Sequence, residues 1–428
     1  MGQYRVDDYE VVYLPKNLNV EQLMNAHPPV LNVYPHNRWR AIERVCVILG
    51  QIYRRRFIDK RIEVDEFVRL HSSILEKLVR GYAQILTWAQ EVEIIEIDES
   101  YQVDVKSRGY RFTEGYRSYE ASQTVFIYDP KLYKKIRARR IDQSSIEALP
   151  KLYEYLTKIS LDGDHAFEIL EGFKGHRRSF NERKVEAILE RRFYFNRDKK
   201  VVRLHTSVVG LKRELRQALR YDGQELINVD IKNSQPFFSV ALLTAHAYEV
   251  LGVAKILKNY DSEIDLGYIE NRLDSYDSTY IKSVLAGELY DNLASELQIE
   301  RRKAKNLVFD ILFSPPKWTF PNKDLFINHF PQEWDLFATI NSRFHKTAKQ
   351  GRKDSDQSNT LALTLQRIES KVFLDHIVPR ILESHPELPI WTLHDSIMTL
   401  KGQEEAISEV IKKVCGELIE CTPTLECI

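Results

Sequence analysis

Several residue types that mark particular protein classes are scarce in this sequence. Only four of its 428 residues are cysteines. They form no CxxC pair, and none of the three near the C-terminal end has a histidine at zinc-ligand spacing. This scarcity excludes a disulfide framework and a zinc finger, and it indicates a reduced, intracellular protein with unpaired thiols.

Excess charge and long apolar runs are also missing. Lys+Arg and Asp+Glu both number 62, so the net charge does not point to a polyanionic partner, although a large enzyme can hide a basic channel within a neutral total. No stretch approaches the roughly 18 apolar residues of a membrane span, and the first residues contain no apolar signal region. We therefore expect no membrane partner and a cytoplasmic location, in a bacterium or a phage-infected host.

What remains is an ordinary globular composition, with 43% apolar and 29% charged residues and enough length for more than one domain. We predict an accessory domain over 1–145, a helical basic region over 146–200 and a third region over 201–428 that carries the chemistry. The first contains a helical pattern over 39–56, a second over 72–89 and two alternating strands joined by a loop around Lys106–Gly109. This order is typical of a winged helix, a fold used on duplex nucleic acid and also for docking proteins.

The second region mixes cations with aromatic residues, which suits a phosphate backbone and stacked bases. A solvated amphipathic helix would show a similar pattern. The cations are Lys174, Arg177, Arg178, Arg183, Lys184, Arg191, Arg192, Arg197, Lys199 and Lys200, interleaved with Phe173, Phe180, Phe193, Tyr194 and Phe195.

Two aspartates in the third region lie where strands end. In INVDIKNSQPFF, Asp230 closes a short apolar strand before the chain turns into a helix, a common place to hold a hard cation. A single aspartate there is more often an N-cap. In WTLHDSIMTL, apolar runs flank Asp395, as at the polar tip of a hairpin. An ordinary turn is the alternative.

A helix lies between these aspartates in RRKAKNLVFDILFS, where four residues recur every four positions and drift only about 40° per step around the helix. Cations followed by aromatics on one face can hold a triphosphate and stack on its base, whereas the alternative places the aromatics in the core. Together with two converging carboxylates, such a face provides the parts of two-metal phosphoryl transfer. The four residues are Arg301, Lys305, Phe309 and Phe313.

In this order the segments resemble the superfamily of family A DNA polymerases and phage-type single-subunit RNA polymerases. Asp230 with Asn233-Ser234-Gln235 resembles motif A, and His394-Asp395-Ser396 resembles motif C. The helix from Arg301 to Phe313-Ser314 is similar to the fingers helix R-x3-K-x3-F-x3-Y-G. Two weaker matches, VVRLHTS and LQRIESKVFLDHI, would place Arg203 near the primer end and Gln366 against the template–primer duplex. The resemblance covers about 200–400.

The resemblance implies a role for each of these residues. Asp230 and Asp395 would hold two Mg²⁺ ions, with Mn²⁺ as an alternative. Lys305 would contact the incoming phosphates and act as general acid on the leaving pyrophosphate, while Arg301 would hold the triphosphate. Phe309 and Phe313 would pack by the sugar and base, and His394 would lie by the primer and template.

Departures from the family pattern leave the choice of sugar open. Phe313-Ser314 replaces Tyr-Gly, and Gln235 occupies the position at which DNA enzymes place a glutamate near the sugar 2′ position. Ser396 follows the RNA-enzyme pattern, whereas Phe309 follows the DNA-enzyme form.

The resemblance therefore implies an α+β fold: a right-hand polymerase with an antiparallel palm sheet, helical fingers at about 240–365, a thumb-like region at 146–200 and an added N-terminal winged-helix-like domain. The implied activity is that of a DNA-dependent DNA polymerase without proofreading, acting on a primer–template with dNTPs (or NTPs). No protein partner is indicated. Such an enzyme suits a phage or mobile element, and equally replication, repair or defence.

Three other functions stay open. A single-subunit RNA polymerase or primase is the nearest, and template-independent tailing is another. A nucleic-acid-binding replication or defence factor with an inactive palm belongs to a different class. The presence of Asp230, Lys305 and Asp395 argues against that last possibility, because a decayed site usually loses a metal ligand first.

Overall fold

The chain folds into two compact units, and each unit is built from two separate stretches of the sequence. The structure is a computed structural model, and it describes residues 9–29, 37–58, 65–100, 107–117, 122–275, 278–341 and 359–428. One unit comprises 1–144 and 163–194, and the other comprises 145–162 and 195–428. The middle region that the sequence suggested, 146–200, is therefore divided between the two units.

Helices dominate the first unit. Its helices are Val20–Ala26, Arg38–Ile58, Ser72–Leu78, Tyr82–Glu91, Pro130–Arg140, Gly163–Glu171 and Gly175–Leu189, with a 3₁₀ turn at Glu114–Tyr116. Its strands are Glu10–Pro15, Val68–Arg69, Ile95–Asp98, Gly109–Phe112 and Ser122–Ile127.

The helix predicted over 39–56 is confirmed as Arg38–Ile58, and it forms the centre of the first unit's core because Val45, Leu49 and Tyr53 are fully buried. The single helix predicted over 72–89 is wrong. Two helices, Ser72–Leu78 and Tyr82–Glu91, meet at Gly81, whose φ of 80° lies in the left-handed region. A residue in that conformation cannot continue a right-handed helix, and glycine adopts it without steric cost.

The predicted strand pair is confirmed as Ile95–Asp98 and Gly109–Phe112, which run antiparallel, and Val68–Arg69 adds a third strand on the far side of Gly109–Phe112. Gly109 starts the returning strand instead of lying in the loop. A Cβ there would lie 2.8 Å from the Phe67 Cβ, so the close approach of the neighbouring segment requires glycine. Residues 101–106 of the predicted hairpin lie outside the described residues.

The second unit is a mixed α+β unit. Its strands are Ile159–Leu161, Phe195–Arg197, Leu204–Thr206, Leu219–Tyr221, Gln224–Ile231, Trp391–Thr392, Ser396–Leu400 and Leu425–Cys427. Its helices are Pro150–Lys158, Ser207–Gly210, Arg213–Arg216, Ser234–Ser239, Ala245–Val250, Val253–Tyr260, Leu266–Glu270, Ser278–Leu285, Leu289–Glu296, Arg301–Phe313, Lys323–His329, Pro331–Asn341, Thr360–Ser370, Val378–Ser384 and Glu404–Ile419, while Gln143–Ala148 spans the boundary. The α+β class expected from the sequence is confirmed.

An antiparallel sheet organises this unit around the strand Gln224–Ile231. That strand pairs with Ser396–Leu400, with Leu219–Tyr221 and with Leu425–Cys427, and Trp391–Thr392 and Ile159–Leu161 extend the sheet on either side. Val229 and Ile231 are buried, so the alternate position between them, Asp230, points to the opposite face of the strand.

A long helical segment packs against the helices Ser234–Ser239, Val253–Tyr260 and Glu404–Ile419, and the last of these packs on the sheet. Thr360–Ser370 continues through a π-helical turn, Lys371–Ile377, into Val378–Ser384. The side chain of Asn359 accepts from the Ala362 N–H and begins the segment. Pro379 has no N–H for the preceding turn, which is consistent with the wider turn just before it. No helix among the described residues is both long enough and apolar enough to cross a membrane.

Candidate functional site

Asp230 lies one residue before the end of the strand Gln224–Ile231, whereas the sequence predicted that it closes the strand. Two residues after that strand, Asn233 adopts a left-handed φ of 55° and serves as the N-cap of the helix Ser234–Ser239. The N-cap alternative for Asp230 is therefore wrong, and its carboxylate is not used in ending or starting a helix.

Asp395 lies in the turn of an antiparallel hairpin formed by Trp391–Thr392 and Ser396–Leu400, which confirms the hairpin prediction. The strand register pairs Asp230 with Ser396, the residue that follows Asp395, and the Ile231 N–H donates to the Asp395 carbonyl at 3.3 Å. The Ser234 hydroxyl donates to Asp395 Oδ2 at 2.6 Å. Strand pairing thus brings the two predicted metal-binding aspartates to one edge of the sheet.

The two aspartates share an electrostatic environment. Burial raises the pKa of Asp230 to about 7, and the charges of Asp395 and Glu426 push it in the same direction. Lys305 and Arg213 oppose this effect. Two carboxylates that repel each other in a partly buried site form a site at which a cation would relieve the repulsion.

Glu426 is a member of this site that the sequence reasoning missed. It lies directly across from Asp230 in the antiparallel pairing with Leu425–Cys427, so both side chains face the same side of the sheet. Ile428 and Asn228 exchange backbone hydrogen bonds of 2.9 and 3.1 Å and extend this pairing. No local pattern could have identified Glu426, because its partner is distant in sequence.

Two arginines on a short helix, Arg213–Arg216, were also missed. The charge of Arg213 lowers the pKa of Asp230, and the charges of Asp230 and Asp395 act on Arg216. Burial is the largest influence on Arg216 and lowers its pKa. Its Nε is buried without a hydrogen-bond partner among the described residues. The basic run LKRELRQALR was the available signal, and it went unused.

The predicted cation–aromatic helix is confirmed as Arg301–Phe313, and its four predicted residues share a solvent-facing side. Phe309 is 36% exposed, so the alternative that placed it in the core is wrong. The Phe309 and Phe313 rings stack at 5.5 Å with an interplanar angle of 18°, and Lys305 Nζ lies 5.8 Å from the Phe309 ring. The buried side of the helix consists of Ala304, Leu307, Val308, Ile311 and Leu312.

Arg301 is already engaged at the start of this helix. Its Nε donates to Asp291 Oδ1 at 2.8 Å, and its guanidinium lies 5.6 Å from the Tyr290 ring. Both members of the Arg301–Asp291 pair are more than half exposed, so the pair is weak and a phosphate could displace Asp291.

Arg203 and Gln235 both donate to Glu369, a residue that the sequence did not indicate. Arg203 donates from Nε and from Nη2 to the two Glu369 oxygens, each at 2.8 Å, and Gln235 Nε2 donates to Glu369 Oε2. Glu369 is 1% exposed, and burial raises its pKa to about 7 against the lowering effect of Arg203. Its only sequence signal was a glutamate on the apolar side of the helix Thr360–Ser370.

His394 and Gln366 were both predicted to contact primer and template. Burial, assisted by the charge of Arg203, lowers the pKa of His394 to about 3, so its imidazole is neutral. Its Nδ1 is buried without a hydrogen-bond partner among the described residues, and its ring lies 5.2 Å from His205. Gln366 is half-buried, one turn before Glu369 on the same helix.

The donor set fits a hard divalent cation. Mg²⁺ usually takes one or two protein carboxylates and completes its shell with water and substrate phosphates. Asp230 and Asp395 would provide those two carboxylates. Within the part of the chain that the structure describes, no group of three or more His, Cys, Asp or Glu side chains is placed to hold a metal ion.

The proton on Asp230 should make the stability of the protein depend on pH. The pKa of Asp230 is raised from 3.8 to about 7 on folding, so between these values the folded protein holds a proton that the unfolded chain has lost. This stabilisation is complete below 3.8 and is lost as the pH rises through about 7. Without metal, Asp230→Asn should be more stable than wild type at pH 8 by roughly 1–3 kcal/mol, allowing for solvent screening.

Thermal unfolding in a chelating buffer from pH 4 to pH 8 measures this difference. The difference in stability between Asp230→Asn and wild type should become smaller as the pH falls towards 4. Glu369 titrates in the same range but is present in both proteins, so its contribution cancels. If the unfolding temperatures of the two proteins changed in parallel between pH 4 and pH 8, that result would contradict the raised pKa of Asp230.

Comparison with known proteins adds a similarity to a solved structure. The POL domain of Pol1 from M. smegmatis, solved in complex with DNA primer-template and dNTP, aligns with 69% of this chain and 72% of its own, at 11% identity and a TM-score of 0.36. No family model matches the chain, and no curated protein matches it. The functional inference therefore rests on the residues of the site.

Proposed function

We propose that this protein is a template-directed nucleotidyltransferase, and that its activity is that of a DNA-dependent DNA polymerase. The observation that carries this proposal is the strand register that pairs Asp230 with Ser396 and so places Asp395 beside Asp230. The charge of Lys305, from the exposed side of a separate helix, acts on the same Asp230 carboxylate. Converging carboxylates and an adjacent cation are what phosphoryl transfer requires.

In this proposal Asp230 and Asp395 hold two Mg²⁺ ions. When bound, the ions would activate a primer 3′-hydroxyl and stabilise the charge that develops on the phosphates. Lys305 binds the incoming phosphates and donates a proton to the leaving pyrophosphate. Arg301 exchanges its exposed partner Asp291 for the triphosphate, where a charge-assisted hydrogen bond is stronger.

The stacked pair Phe309 and Phe313 forms the wall for the sugar and base in this proposal. Stacked aromatic rings that reach the surface beside a cationic side chain are suited to a nucleobase, since every base has a face that can stack. Neither ring is needed to fill the core, because the buried side of the helix is aliphatic.

Phe309→Ala should raise the KM for nucleotide by about tenfold, because stacking on a base is worth one to a few kcal/mol. Its stability should change little, since Phe309 is among the exposed large hydrophobic residues. Steady-state extension kinetics and thermal unfolding measure the two effects. Phe167→Ala, at an exposed phenylalanine of the other unit, is the matched control. An unchanged KM in Phe309→Ala would remove Phe309 from the nucleotide site.

The antiparallel sheet around Asp230 serves as the palm in this proposal, and the helices between Asp230 and the Asp395 hairpin serve as the fingers. Membership in the superfamily of family A DNA polymerases and single-subunit RNA polymerases is part of the proposal. It is supported by Asp230 at a strand end, by a cation–aromatic helix and by His394-Asp395-Ser396 in a hairpin turn, in that order along the chain.

The first unit serves as a nucleic-acid-binding accessory domain in this proposal. Its elements follow the winged-helix order along the chain. They are the helix Arg38–Ile58, the strand Val68–Arg69, the helices Ser72–Leu78 and Tyr82–Glu91, and the strand pair Ile95–Asp98 and Gly109–Phe112, with Val68–Arg69 completing the sheet. Cations stack on aromatic rings in the helix Gly175–Leu189 and just before it. Arg177 lies 4.5 Å from the Phe173 ring, and Lys184 lies 4.2 Å from the Phe180 ring.

A single-subunit RNA polymerase or primase is the second candidate. The observation that favours it is the position of Gln235, whose amide donates to Glu369 and so is turned towards the buried carboxylate. Phe313, which lacks a hydroxyl, has no hydrogen bond to offer Gln235. The pair of side chains that screens the sugar in DNA enzymes therefore has no counterpart here.

Extension of a labelled primer–template with Mg²⁺, with dNTPs and rNTPs supplied separately, tests the proposal. Template-matched extension supports a polymerase, and the preferred nucleotide distinguishes the two candidates. Initiation without a primer with rNTPs would favour the RNA polymerase or primase. No incorporation on primed, unprimed or untemplated strands would contradict the proposal and favour a binding factor with an inactive palm.

A further inference from the structure

Arg203 lies near the hairpin turn that carries Asp395. The ring of His205, in the short strand that follows Arg203, lies 5.2 Å from the ring of His394, the residue immediately before Asp395. Arg203 itself is bonded to Glu369. Arg203, Glu369 and Asp395 therefore lie in one region of the site, which also includes Arg216.

Arg203 forms an ion pair with Glu369. Its Nε and Nη2 donate in parallel to the two Glu369 oxygens, the strongest arrangement available to an arginine and a carboxylate. Glu369 is almost fully buried, so the pair is shielded from water and held in one geometry.

Two adjacent side chains contact the two carboxylates separately. Ser234 and Gln235 are consecutive residues at the start of the helix Ser234–Ser239. The Ser234 hydroxyl donates to Asp395, and the Gln235 amide donates to Glu369. Asp395 thus accepts from an uncharged hydroxyl, which need not be displaced when a cation binds. The charged donor, the Arg203 guanidinium, is bonded to Glu369 instead.

We propose that Glu369 is a positioning residue that keeps Arg203 from pairing with Asp395, so that Asp395 stays available to a divalent cation. This inference rests on the proposed function and adds a residue to its metal site. An arginine bound to Asp395 would occupy the carboxylate oxygens and add a positive charge where a cation must bind. Glu369 removes that competitor without touching the cation.

Mg²⁺ affinity tests the inference without recourse to catalysis. It can be measured by isothermal titration calorimetry and by the Mg²⁺-dependent shift in unfolding temperature, on the full chain. Glu369→Gln should weaken Mg²⁺ binding by about tenfold, because Arg203 then loses its partner and competes for Asp395. The double variant Arg203→Gln, Glu369→Gln should bind Mg²⁺ within about threefold of wild type, since the competitor is gone.

The double variant keeps the test decisive if Glu369→Gln fails to fold, because it leaves no unpaired buried charge. Weak Mg²⁺ binding by the double variant would overturn the inference, since Glu369 would then act independently of Arg203. Equal binding by wild type and Glu369→Gln would also overturn it and leave the proposed function intact. Asp395→Asn should lose Mg²⁺ binding in either case. A wild-type protein that binds no Mg²⁺ would contradict both the inference and the proposed function.

Discussion

Replacing Asp230 or Asp395 with asparagine is expected to lower the rate of templated extension by about 10³-fold or more, because each substitution removes a proposed charged metal ligand with little change in the size of the side chain. Single-turnover extension in Mg²⁺ measures the rate of the chemical step. The two substitutions should not be additive, since in the proposed mechanism both carboxylates hold the same pair of ions and the loss of either disables the site.

Asp222→Asn provides a matched control for this result. Asp222 is exposed, in the turn just before the strand that carries Asp230. The rise per residue of a β-strand places it roughly 25 Å from Asp230. Its φ of 48° suits asparagine as well as aspartate, so folding should be unaffected. An Asp230→Asn protein that extends primers as fast as Asp222→Asn would rule out the metal-binding role of Asp230.

Lys305→Ala is expected to lower kcat by about 10²- to 10³-fold, since it removes the proposed cation at the phosphates and the proposed proton donor for the leaving group. Lys305→Arg separates these two contributions. Arginine keeps the positive charge but cannot give up a proton in a protein, so nucleotide binding should persist while kcat stays low. Pre-steady-state extension with each variant measures binding and chemistry separately.

Lys303→Ala is the control for the Lys305 variants. Lys303 is an exposed lysine on the same helix, and because it is two residues before Lys305 it faces a different direction. Arg301→Ala should have a smaller effect on kcat than Lys305→Ala, because Arg301 is shared with Asp291 in an exposed pair. Equal losses in Lys303→Ala and Lys305→Ala would indicate a general effect of charge on nucleic-acid binding instead of a role in the reaction.

Local features of the site followed from the sequence because they depend on neighbours a few residues away. The four-residue period from Arg301 to Phe313 predicted both the helix and its exposed side. The strand before Asp230 and the apolar runs around Asp395 predicted the strand end and the hairpin turn. The break at Gly81 was missed because the apolar period continues across it, although glycine was the signal available.

The partners of these residues did not follow from the sequence. Glu369 and Glu426 carry no local motif, and they acquire their importance from Arg203 and Asp230, which lie far away along the chain. A buried carboxylate can be recognised only once its surroundings are known, because burial and neighbouring charge are what change its behaviour.

The sequence by itself determined the strand, helix and hairpin that carry Asp230, Lys305 and Asp395, and it indicated the class of reaction that we propose. The tertiary structure decided which of those side chains meet. Strand register sets this meeting, because a shift of one residue would turn Asp230 into the core and Val229 towards Asp395. Register depends on the packing of the whole sheet, whereas period and turn chemistry depend only on adjacent residues, so the sequence could predict the parts of the site but not its assembly.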